Sequence, residues 1–83
     1  MIVIDKEEKV AINFDCFSKM CVSTIKGSPV LKIIADDHTF VYEAAREVCE
    51  KLFDRIIDAY VFGTCSVFDI RKEEQRHDTR KEG

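Results

Sequence analysis

The sequence predicts an α+β fold: an antiparallel β-meander of four strands packed on one long amphipathic helix, with a short C-terminal strand. Three observations carry this. Apolar residues alternate with polar ones in the first third of the 83-residue chain, at Val10, Ile12 and Phe14, the period of a strand with one buried face. Apolar residues then recur at helical spacing from Val41 to Tyr60 with no Gly or Pro among them. Within the first half stands Lys26-Gly27-Ser28-Pro29, the clearest turn in the chain, between the third and fourth strands.

In order, Ile2-Val3-Ile4 is a short β-branched run that suits a strand, and Asp5-Lys6-Glu7-Glu8-Lys9 is a polar break of hairpin length. The Val10–Asp15 alternation gives a second strand, residues 21–25 a third and residues 30–35 a fourth. Asp36-Asp37-His38 leads away from the sheet. It reads as a polar turn with a helix cap rather than a metal site. Val41, Ala44, Ala45, Val48, Cys49, Leu52, Phe53, Ile56, Ile57 and Tyr60 form the apolar arc of the helix, with Thr39 or Asp37 as its cap and Gly63 as its left-handed end. Residues 65–70 read as the last strand.

The domain is expected to span residues 1–70. Residues 71–83 contain no apolar side chain, and such a segment cannot offset its ordering entropy, so a disordered tail is expected there. That segment holds five basic and four acidic residues, which leaves the body with eight basic and twelve acidic, a net charge of −4. This acidity argues against phosphate neutralisation as a binding mode, and so against nucleic acid as a partner. No apolar run approaches the ~20 residues of a membrane span. Cys16, Cys21, Cys49 and Cys65 lie among apolar residues, form no C-x-x-C pair and follow no secretory-type leader. They read as reduced thiols of a cytoplasmic protein.

On a helix at 100° per residue, Glu43, Glu47, Glu50, Asp54 and Asp58 fall within an arc of roughly 80° and make one acidic ridge, which reads either as a solvated helix face or as a docking surface for a basic protein partner. The apolar arc spans about 220°, more than one sheet face needs, with Phe53, Ile57 and Tyr60 at its edge. Either the strand at residues 67–70 or the meander wraps that edge, or it is a partner surface or a homodimer contact. No glycine-rich phosphate loop, G-x-S-x-G or H-E-x-x-H is present, so no catalytic residue, cofactor or metal is assigned.

Met1-Ile2-Val3-Ile4-Asp5, Val10-Ala11-Ile12-Asn13-Phe14-Asp15 and Ala45-Arg46-Glu47-Val48-Cys49-Glu50-Lys51-Leu52 resemble the motifs of small uncharacterised β-meander-plus-helix proteins of Bacillus- and Clostridium-type bacteria and their phages. The resemblance covers residues 1–60. This chain departs from it in its cysteines, its longer helix and its C-terminal strand and tail. It implies a sheet-plus-helix fold and a mobile-element origin, and brings no catalytic residue. The function expected is a small non-enzymatic interaction module, a regulator or inhibitor that binds a host protein through a helix face. The alternative is a small-ligand binding protein, with its site between sheet and helix or at an oligomer interface.

Overall fold

The computed structural model describes residues 1–35 and 38–74. It is α+β: two three-stranded sheets and a 17-residue helix share a core. β1 (Ile2–Asp5) and β2 (Val10–Asn13) form a hairpin that runs into a 3₁₀ turn at Phe14–Cys16. β3 (Phe17–Ile25), β4 (Ser28–Ala35) and β5 (His38–Glu43) form an antiparallel meander of their own. Helix α1 (Arg46–Phe62) follows, then β6 (Val67–Asp69), which pairs parallel with β1 and completes the first sheet in the order β2-β1-β6.

Two expectations are corrected. The strands do not make one four-strand meander: the β1–β2 hairpin leaves the second sheet and takes β6 as its third strand. The helix starts at Arg46, because His38-Thr39-Phe40-Val41-Tyr42-Glu43 is a strand. Phe40 and Tyr42 point inward opposite Ile33 and Leu31, while Thr39, Val41 and Glu43 face out. This two-residue period overlaps the helical spacing at Val41, and cross-strand pairing with β4 decides between them. Thr39 is therefore a strand residue. The helix N-cap is Ala45, which makes no side-chain cap bond, and Gly63 ends the helix in the left-handed conformation (φ 63°). The Asp36-Asp37 part of the expected turn lies outside the described residues.

Rows of side chains cross each sheet. Val3 lies between Ile12 and Phe68 in the first. Met20, Ile33 and Phe40 form one row of the second, and Val22, Leu31 and Tyr42 the next. Cys49, Leu52, Ile56 and Ala59 of α1 close the same core, and α1 lies against β3 and β4.

A single buried charge ties these parts together. Asp5 is 1% exposed. Its carboxylate accepts from Arg71 Nε (2.8 Å) and Nη2 (3.0 Å), and from the backbone N–H groups of Glu7 (3.1 Å) and Glu8 (3.3 Å). The Arg71 guanidinium lies 4.8 Å from the centroid of the Tyr42 ring, so the pair spans both sheets. Residues 70–74 are helical, with Asp69 Oδ1 accepting from Lys72 N (3.2 Å) as an N-cap. Arg71 to Glu74 are thus part of the described fold, and the rest of the expected tail, residues 75–83, lies outside the described residues.

Arg71, against desolvation, holds the Asp5 pKa below its usual value. The unfolded carboxyl titrates near 3.9, so the pair contributes fully above about pH 4 and is lost as pH falls through the lower native pKa. Asp5→Asn is expected to cost about 3 kcal/mol near neutrality, with the gap from wild type closing in acid. Urea denaturation at about pH 6 and about pH 2.5 checks this; an equal gap at both would refute it. The β3–β4 hairpin turns on Lys26 (φ 51°) and Gly27 (φ 84°), both left-handed as a type I′ turn requires. Lys26→Asn is expected to raise stability by about 0.5 kcal/mol, read as a higher urea midpoint at unchanged slope.

Candidate functional site: the seam between α1 and the β3 edge

The backbone of β3 is paired on one side only. Its partner β4 shows which residues face which way. Pro29 has no N–H, and its carbonyl accepts from Ala44 N (3.4 Å), so Pro29 faces β5. Thr24, opposite Pro29, therefore makes no ladder bond to β4, and its N–H and C=O point off the free edge. By the alternation of an antiparallel ladder the same holds for Val22 and Met20, while Cys21 and Ser23 bond to β4. Among the described residues no hydrogen bond reaches the outward groups of Met20, Val22 or Thr24.

Beside this edge runs one flank of α1. Met20, Cys21, Val22, Glu50, Phe53 and Asp54 line a shallow groove of about 480 Å³. Met20, Val22 and Phe53 are half-buried against the core and supply an apolar floor, while Glu50 and Asp54 are exposed on the rim. Glu50 accepts from Arg46 Nε at 3.3 Å, an exposed i,i+4 pair; such pairs contribute about 0.3–0.5 kcal/mol. Asp54 makes no ion pair with a described residue.

The sequence-predicted sites divide here. Glu47, Glu50, Asp54 and Asp58 are exposed on α1. Glu43 is not on the helix: it ends β5, opposite Val30, because residues 38–43 pair with β4. The ridge is therefore four carboxylates. Of the apolar edge, Tyr60 meets Phe14 edge-on (centroids 5.1 Å) and Phe17 (6.1 Å), and those two rings stack at 4.1 Å. Phe53 opens onto the groove and Ile57 is half-buried. The chain leading into β3 thus packs against one side of Tyr60, which stays 39% exposed, while Phe53 is half-buried beside the groove.

The most exposed apolar side chains lie elsewhere. Val61 (66%) and Phe62 (74%) end α1, and Val67 (51%) is on β6. Phe62 and Val67 border an open groove of about 640 Å³ that also carries Lys6, Arg55, Asp58 and Lys72. Val61 and Phe62 stand at the end of the helical pattern, where the Gly63 stop signal could have marked them as a terminus left uncovered.

Perturbed titratable groups do not converge on either groove. Burial raises the Cys49 thiol, which lies in the core and donates to Ala44 O (3.6 Å). Burial and the neighbouring Glu74 carboxylate raise the Tyr42 phenol well above its usual range, and among the described residues Tyr42 Oη makes no hydrogen bond of ordinary geometry. All four cysteines are free, with Cys16 exposed, Cys21 and Cys65 half-buried and Cys49 buried. Among the described residues no three His, Cys, Asp or Glu side chains are grouped to hold a metal ion, and no helix is long and apolar enough to cross a membrane. No family model, curated protein or solved structure matches this chain.

The edge geometry has a direct readout. The amides of Met20, Val22 and Thr24 are expected to exchange with deuterium at least about tenfold faster than those of Cys21 and Ser23. Equal protection along β3, measured by NMR, would mean that the edge is already covered.

Proposed function

We propose that this protein is a small non-enzymatic interaction module that docks a basic protein partner on the outer flank of α1. The observation that carries this reading is the groove beside β3, where an open apolar floor (Met20, Val22, Phe53) meets an acidic rim (Glu50, Asp54). Apolar area supplies affinity when it leaves water, and a rim of one charge sign steers encounter and selects the partner. Glu47 and Asp58 extend the field of like sign along the helix.

Of the perturbed groups, Tyr42 and Arg71 border a separate groove of about 510 Å³ with Glu8, Lys26 and Glu43, away from the flank of α1. Asp5 and Arg71 neutralise one another, and Cys49 is packed in the core.

Replacing Glu47, Glu50 and Asp54 together with Lys should leave cooperative unfolding intact, since all three are exposed. The same triple variant should lose at least about tenfold of the affinity for a partner captured by the wild-type chain, whereas Glu7→Lys, on the exposed β1–β2 turn, should not. Capture that is indifferent to the triple substitution would rule out this flank.

A further inference from the structure

The geometry points to a defined mode of docking: we infer that the β3 edge takes an extended, lysine- or arginine-bearing peptide segment of the partner as a fourth strand of the β3-β4-β5 sheet, seated between β3 and α1. The inference rests on the docking reading above and adds the partner's conformation and chemistry.

The first part of the argument is the backbone. β3 is the longest strand, nine residues, and it is an edge. Three successive outward positions, Met20, Val22 and Thr24, present N–H and C=O pairs with no described partner. Unpaired strand edges are templates for another strand, and proteins usually blunt them with charge, proline or a bulge. Here the bulge lies between Phe17 and Lys19, at the start of the strand, and from Met20 to Ile25 there is neither charge nor proline.

The second part is the side chains. An added strand presents alternate residues to each face of the sheet. On the inner face those residues would extend the rows of Met20 and Val22 and meet Phe53, Glu50 and Asp54 of α1. A lysine or arginine suits this place, because its aliphatic stem can lie on Met20 and Phe53 while its head reaches the two carboxylates. The Arg46–Glu50 pair is exposed on both sides and exchanges at little cost. A second copy of this chain fits the edge less well. A two-fold pairing of β3 with itself places the Glu50 and Asp54 rims of both copies along one shared seam, and β3 carries a single lysine, Lys19, to offset them.

The test uses the full chain and two synthetic nine-residue peptides with blocked ends, one alternating Val with Lys and one alternating Val with Glu. Amide exchange and chemical shifts are followed by NMR. The expected result is that the Val–Lys peptide slows exchange at Met20, Val22 and Thr24 at least about tenfold, that the Val–Glu peptide does not, and that Glu50→Lys/Asp54→Lys weakens binding at least about tenfold. Shifts confined to α1 without protection of those three amides would overturn strand addition while leaving docking on the helix flank in place. No binding of the Val–Lys peptide at about 1 mM would overturn the inference. So would sedimentation showing dimers of the 9.6 kDa chain whose formation itself protects the three amides, since the occupant would then be a second copy.

Discussion

A carboxylate removed from water costs several kcal/mol unless its partners replace that solvation, and Asp5 meets this constraint with donors from two distant parts of the chain. The N–H groups of Glu7 and Glu8 come from its own hairpin turn, and the Arg71 guanidinium comes from 66 residues away. Because Arg71 also covers the Tyr42 ring, one ion pair joins β1, β5 and the helical residues 70–74. The parallel pairing of β6 with β1 brings Arg71 into reach, since Asp69 stands beside Ile4 in the register.

With β1 anchored in that way, the hairpin of the first sheet leaves β3-β4-β5 as an open sheet with two edges. Helix α1 covers one face of it with Cys49, Leu52, Ile56 and Ala59. A helix of 17 residues has a flank as well as a buried stripe, and the flank toward β3 is filled unevenly. Near Gly63 the Phe14, Phe17 and Tyr60 rings pack along it. Toward the N-terminal half there is no aromatic counterpart, and Phe53 faces the groove with Glu50 and Asp54 above it. The candidate site is thus a consequence of packing: aromatic rings occupy one end of a seam, and the other is a shallow groove beside unpaired backbone.

Much of the fold was legible in the order of residues, and the misreadings have identifiable causes. Lys26-Gly27-Ser28-Pro29 marked a turn because Gly allows positive φ and Pro fixes φ; the turn itself is Lys26-Gly27, and Ser28 and Pro29 open β4. The segment from Arg46 to Tyr60 is helical because its apolar positions recur every three to four residues without a breaker. Residues 38–43 were open to two readings, since Val41 fits the helical spacing while Phe40 and Tyr42 fit a strand; pairing with Leu31 and Ile33 chose the strand and moved Glu43 off the acidic ridge. Arg71 gave no local signal at all. A charged residue in a charged segment carries no pattern, and its partner lies at the other end of the chain.

By itself, then, the sequence determined what depends on neighbours along the chain: strand and helix periods, the hairpin turns, the left-handed stop at Gly63 and the exposed carboxylates Glu47, Glu50, Asp54 and Asp58. Only the tertiary structure decided that the strands divide between two sheets, that β6 joins β1, that Asp5 is buried against Arg71, and that the edge of β3 stands open beside Phe53. The physical reason is that these features are set by register and by charge pairing between segments far apart in sequence, and periodicity carries no information about which distant surface a face will meet.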